Sequence, residues 1–269
     1  MGYLFESAAL GYLFLKKENR EEFGTKFPKI DFKEVKKCLA IGIPPGLSYA
    51  LEIFGWAVFY WIMTDLGEKH ITIASVCQSF TILLSFFHDG LSRGAAAVTG
   101  NLIGSKLYEQ VKKVLRSGFY LLFFFSIATA LIFVVEPIDT VQVLFIEHPA
   151  PLMQSSLKTC MIYAFIYLFF EGLRWLLSGI LLAAGDTMFL LIAGILTVWG
   201  FLLAPIYFIV LKNQLSIKTA MGLTVVYAAL SLLIYYIRFK QGAWQKIDLV
   251  NQSKFIEEQP ARNLEDKKL

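Results

Sequence analysis

The sequence predicts an all-α integral membrane protein, a bundle of about six transmembrane helices. Three observations predict it. Of the 269 residues, 57% are hydrophobic and 17% charged, whereas soluble domains hold about 45–50% apolar and about 25% charged residues. Mean hydropathy is +0.59. The apolar residues also gather into six stretches that reach the ~20 residues a helix needs to cross a bilayer. This composition argues against a disordered chain, a collagen, a coiled coil and a nucleic-acid binder. Cys38, Cys77 and Cys160 are scattered without a CxxC spacing, which argues against a disulfide scaffold or a zinc site.

Taken in order, residues 2–15 are apolar but too short to span, and they contain Glu6. No Lys or Arg precedes them, so they are not a secretory signal peptide. Residues 16–38 form a basic loop. The spans fall near 39–63, 71–96, 117–136, 159–183, 188–211 and 217–237. Pro44 and Pro45 should kink or open the first span. The second carries the pair Asp89 and Arg93 at i, i+4 beside His88. Gly90, Gly94, Gly100 and Gly104 punctuate it and let helices approach closely or bend. Gly185-Asp186-Thr187 reads as a tight turn, with Asp186 as N-cap of the fifth span. Residues 238–269 form a polar, solvated tail. Its Asn251-Gln252-Ser253 sequon is unused if that tail is cytoplasmic.

Lysine and arginine counts orient the bundle. The loop 16–38 holds eight, the segment 106–116 four and the tail seven, against four (Lys69, Lys158, Lys212, Lys218) on the opposite side. Both termini are therefore expected in the cytoplasm, and the loop from Glu136 to His148 outside. The sequence pI of about 8.8 then reflects topology and an anionic leaflet. Walker, HExxH and GxSxG motifs are absent. His88 has no Ser or Cys partner at a triad spacing, so an enzyme is not expected and no cofactor is called for.

Ionisable residues in hydrocarbon are functional candidates because their burial must be compensated. Glu52 lies 13 residues past Leu39, ~20 Å along the first span. Glu171 enters from the other side, 12 residues past Thr159, or ~18 Å. Tyr167 and Arg174 share its face. Twelve Leu, Ile and Phe residues between 159 and 183 contribute roughly −6 kcal/mol to insertion, against roughly +5 to +7 for a mid-span Arg and an acidic residue. This face must therefore meet protein or a wet cavity. Glu52 reads as a cation or proton site or as a neutral carboxyl in a helix–helix hydrogen bond, and Glu171 as a functional charge or as a purely structural pair with Arg174. Trp56 and Phe59 continue the Glu52 face, where aromatic rings can hold an organic cation. With Asp89, Arg93 and Arg174 they make up a weaker set of cavity candidates.

These residues carry a resemblance. Pro44-Pro45-Gly46-Leu47 is followed by Leu51-Glu52 and Gly55, and then by Ala74-Ser75-Val76. Next come Gly90-Leu91-Ser92 and Gly100-Asn101-Leu102-Ile103-Gly104. Further on stand Phe170-Glu171-Gly172-Leu173, Ser178-Gly179-Ile180-Leu181 and Ala184-Gly185-Asp186-Thr187. In this order and spacing, from about Glu34 to Ile237, the chain resembles the carboxy-terminal six-helix lobe of the multidrug and toxic compound extrusion (MATE) family. The resemblance implies half of a twelve-helix secondary antiporter that exchanges Na⁺ or H⁺ for drugs and organic cations. It places cation-binding roles on Glu52, Glu171 and Tyr167, with Na⁺ a possible occupant at the two glutamates. Arg174 departs from it, standing where an uncharged polar residue is expected, and so do Leu182 and Ala183, where arginine and glycine are common.

On this reading residues 1–15 are the end of a preceding transmembrane helix and 16–38 an inter-lobe loop. The implied partners are membrane lipid, an organic cation and a second six-helix lobe, as a separate chain or a homodimer; an even number of spans allows parallel pairing. The implied location is a cell membrane, the inner membrane of a bacterium. Alternatives are a non-transporting membrane subunit and a lipid or polysaccharide flippase of the same superfamily.

Overall fold

A computed structural model describes residues 2–23, 32–135 and 151–247. All regular structure among them is helical. The chain divides into two units, Met1–Ala40 and Ile41–Leu269. In the first unit, α1 (Gly2–Leu15) meets α2 (Lys17–Phe23) at Lys16, and α3 (Phe32–Asp65) begins. Asn19 Nδ2 donates to Leu13 O (2.6 Å) and Lys16 Nζ to Glu18 Oε2 (2.5 Å), which fastens the joint. The expected 16–38 loop thus carries helix at both of its ends.

The second unit holds most of α3 and then α4 (Glu68–Gly104), α5 (Tyr108–Val135), α6 (Pro151–Ala183), α7 (Thr187–Leu211) and α8 (Ile217–Gln241). Helices α3 to α8 are each long and apolar enough to cross a membrane. Several boundaries run beyond expectation: α3 starts at Phe32, α4 continues to Gly104 and α6 starts at Pro151. The third span starts its helix at Tyr108, not near 117, so Lys112, Lys113 and Arg116 ride on helical turns. Hydropathy marks only the oily part of a helix, whereas good helix formers and the Glu109–Lys112 pair (2.9 Å) carry the coil further. The sixth span continues past 237 to Gln241, where Gly242 takes a left-handed φ of 66° as the stop. Trp244 then folds back, stacks on Phe239 at 5.5 Å and donates from Nε1 to Phe239 O (3.0 Å). The start of the expected tail is therefore part of the bundle. The expected outer loop at 136–148 and the sequon at 251–253 lie outside the described residues.

α3 runs through Pro44 and Pro45 without a break, so the expected opening does not interrupt the helix. Membrane helices tolerate the lost backbone bond when neighbouring turns and side chains make it up.

α6 lies at the centre, packed along its length against α4 and α8. Small residues set the close approaches, but not the predicted ones. A Cβ on Gly90, Gly94, Gly100 or Gly104 would meet nothing within 4 Å, whereas on Gly179 it would strike the backbone oxygen of Ser92 and on Gly172 it would come 2.9 Å from His88. These two glycines lie seven residues apart, on one face of α6. Ser92 Oγ uses the closeness to donate to Trp175 O at 2.8 Å.

Helix α7 is wound differently from the rest. It begins as an α-helix (Thr187–Ile195) and continues as π-helix over Leu196–Leu203 and Ile206–Leu211. Its buried side chains explain the winding. Leu190, Gly194, Val198, Leu202, Ile206 and Val210 are all buried, at a constant spacing of four. In an α-helix, steps of four drift by ~40° each, so after five steps the stripe would have turned ~200° away from the core. The wider i→i+5 turns keep it on one face.

Two apolar clusters result. One gathers Phe59, Met63, Ile73, Cys77, Leu157, Cys160, Leu202 and Tyr227. The other gathers Val111, Leu176, Ile180, Leu181, Leu190, Tyr235 and Trp244. Along α6 the first cluster ends at Leu168 and the second begins at Leu176. The charged residues of α6 fall in the gap between them.

Candidate functional site

That gap holds three charges from two spans. Glu171 and Arg174 are three residues apart on α6, buried to 5% and 4% exposure. Arg174 Nε donates to both oxygens of Glu171 at 3.0 Å, and its Nη2 also meets Glu171 Oε1. The same Nη2 donates to Glu52 Oε1 of α3 at 2.8 Å. Trp175 Nε1 adds a bond to Glu171 Oε1 at 2.9 Å. The guanidinium lies over the Tyr235 ring of α8, 5.5 Å from its centroid. One arginine thus joins three helices.

The position follows from the local fold. The turn Glu171-Gly172 can sit against α4 only because residue 172 has no side chain, and His88 packs over it. Glu171 and Arg174 lie almost fully buried between the two apolar clusters, so their interaction is stronger than on a surface. An isolated buried charge would be costly; here each one is paired.

A cavity of about 480 Å³ opens beside the cluster, and Glu52, Glu171, Trp56, Phe59, Tyr167 and His88 reach its wall. Trp56 meets the Phe59, Tyr167 and Tyr227 rings edge-on, with centroids 5.5 to 6.3 Å apart. Aromatic faces and a carboxylate on one wall suit a lipophilic cation.

The sequence candidates separate cleanly. Glu52, Glu171, Arg174, Tyr167, Trp56 and Phe59 come together. Asp89 and Arg93 do not join them. They form the expected i, i+4 bond (2.8 Å), but on an exposed face, with side-chain exposures of 44% and 80%. His88 points into the bundle, and the next residue is turned ~100° away from it. Among the described residues no group of three or more His, Cys, Asp or Glu converges as a metal cluster would.

Sequence reasoning missed the contribution of α8. Tyr227, Ser231 and Tyr235 are buried at i, i+4, i+8, and the Tyr227 and Ser231 hydroxyls have no hydrogen-bond partner. That polar stripe in an apolar span was the available signal. Asp186 stands at the expected N-cap position of α7, but its side chain makes no cap bond. Its carboxylate instead accepts from Arg238 Nε (2.7 Å) and Nη2 (3.0 Å), because the fork of an arginine from α8 outcompetes a backbone N–H.

Six apolar spans with a buried, paired charge cluster beside a cavity define a polytopic membrane protein. The profile of the MatE family matches residues 44–208, and the chain belongs to this family of transporters. It is similar to the multidrug resistance protein MdtK of Photorhabdus laumondii subsp. laumondii, with 21% identity over 164 residues, covering 60% of this chain. The chain spans about a third of that relative's length, 35%. The matched region includes Glu52, Glu171 and Arg174 but not α8.

Proposed function

We propose that this bundle is the cation-coupling lobe of a secondary antiporter that exports organic cations against Na⁺ or H⁺. It works across the membrane with a second six-helix unit. The observation that carries the reading is the Glu52–Arg174–Glu171 cluster on the wall of an aromatic cavity. Two carboxylates and one guanidinium leave a formal charge of −1 in a layer shielded from water. Such a layer favours one further monovalent positive charge. A coupling cation and a cationic drug then compete for that single place, which links their movements. Tyr167, beside Glu171 and against Trp56, lends a hydroxyl to the occupant. Occupancy biases the inward or outward arrangement through its differential affinity for the two.

The test is exchange in liposomes holding this chain together with a second six-helix lobe. Uptake of tetraphenylphosphonium against an imposed Na⁺ or H⁺ gradient is expected, and Glu52→Gln should lose it. Equal exchange by Glu52→Gln would refute the reading. Efficient uptake by this chain as a monomer would refute the need for the second lobe.

A further inference from the structure

We propose that Arg174 is a resident counter-cation that keeps Na⁺ out of the Glu52–Glu171 pair, leaving a proton, carried at Glu52, as the coupling charge. This rests on the transport reading above and names its ion.

The geometry argues the first half. An alkali ion held by both glutamates would have to sit between their oxygens. That space is filled by the guanidinium, with Nη2 2.8 Å from Glu52 and Nε 3.0 Å from both oxygens of Glu171. Tyr235 stacks beneath the guanidinium, so the side chain is fixed from a third helix. Arginine keeps its charge under all ordinary conditions and matches carboxylates with a planar fork. Being tethered, it cannot leave with an ion flux. Displacing it would expose a second buried charge in place of the first.

Asymmetry argues the second half. Glu171 accepts from Arg174 through both oxygens and from Trp175 besides, and its side chain is 7% exposed. Both of its oxygens are already engaged where it reaches the cavity wall. Glu52 accepts at Oε1 and its side chain is 19% exposed, on the cavity wall. The net negative charge is therefore reachable at Glu52. A proton needs one oxygen, whereas Na⁺ needs a shell of several. Among the described residues, the titratable groups around Glu52 and its cavity are Tyr49 and Tyr60 from α3, Cys77 and His88 from α4, Tyr167, Glu171 and Arg174 from α6, and Tyr227 and Tyr235 from α8.

The experiment is ²²Na⁺ binding by this chain co-purified with a second six-helix lobe in detergent, paired with proton release on adding tetraphenylphosphonium in weak buffer. Wild type should show no saturable Na⁺ binding. Arg174→Gln should gain saturable binding. Arg174→Lys, which keeps a cation in place, should not. The double variant Arg174→Gln/Glu171→Gln should lose the gain. Wild type should release a proton as the organic cation binds, and Glu52→Gln should not. Saturable Na⁺ binding by wild type overturns the inference and leaves the transport reading standing. So does organic-cation binding without proton release. Failure to bind any organic cation would instead count against the transport reading, while the Na⁺ arm still decides this one. If Arg174→Gln does not fold, wild type and Arg174→Lys carry the Na⁺ test.

Discussion

Gly179→Ala should be among the most damaging single-methyl changes in the bundle. The new Cβ would lie 2.7 Å from Ser92 Oγ and 3.1 Å from Ser92 C, and closer still to the carbonyl oxygen. Backbone cannot swing aside as a side chain does, so α4 and α6 must separate. Overpacking of this kind costs about 1–3 kcal/mol. Separation also breaks the Ser92 Oγ to Trp175 O bond, worth about 0.5–1.5 kcal/mol. The sum, roughly 2–4 kcal/mol, corresponds to a fall in Tm on the order of 5–15 °C. The control is Gly94→Ala, where the same methyl meets nothing within 4 Å. It should be neutral or stabilise by up to about 1 kcal/mol through helix propensity. Thermal unfolding in detergent, followed by tryptophan fluorescence, reads both. Equal Tm values for the two variants would refute the packing argument.

Arg174→Ala should destabilise by about 3–5 kcal/mol because it strands two buried carboxylates; adding Glu52→Gln and Glu171→Gln should restore much of the loss in the same unfolding assay. Asp186→Asn should weaken the contact between α7 and α8 by about 1–3 kcal/mol, and Arg238→Gln should cost little more on top of it, which a double-mutant cycle checks. Tyr227→Phe should leave Tm unchanged or raised, since that hydroxyl is buried without a protein partner; a clear drop would show that the hydroxyl is bonded. In a cysteine-free background, cysteine at Asn213 should label from outside intact cells and cysteine at Ser105 only after permeabilisation, and the reverse would invert the topology.

The six spans were legible because hydrocarbon imposes a length on every crossing helix. Glu52, Glu171 and Arg174 were legible because a charge in an oily run stands out whatever its neighbours. What was hidden is facing. Gly94 and Gly179 look alike in sequence, and only the second sits under a neighbouring helix. When both sides of a helix are apolar, lipid and protein select the same residues, so periodicity carries little signal. Asp186 and Arg238 are 52 residues apart; nothing local links them, and local chemistry placed the cap but not the partner of its side chain. The sharing of Arg174 between two glutamates depended on Glu52 of α3 reaching across to α6, which no spacing along one helix encodes.

The π-wound half of α7 changes how substitutions there translate into structure. A side chain's neighbours on that helix are four and five positions away, so a scan plotted on an ordinary helical wheel would scatter buried and lipid-facing positions together. Register is also shared along the span. Removing a single residue between Leu196 and Leu203 would rotate everything beyond by roughly a quarter-turn, swinging Ile206 and Val210 toward lipid and bringing exposed Tyr207 into the place of Ile206. For this helix a one-residue deletion is therefore a larger perturbation than replacing any one of its side chains, and lineages that keep the bundle should vary its letters more freely than its length.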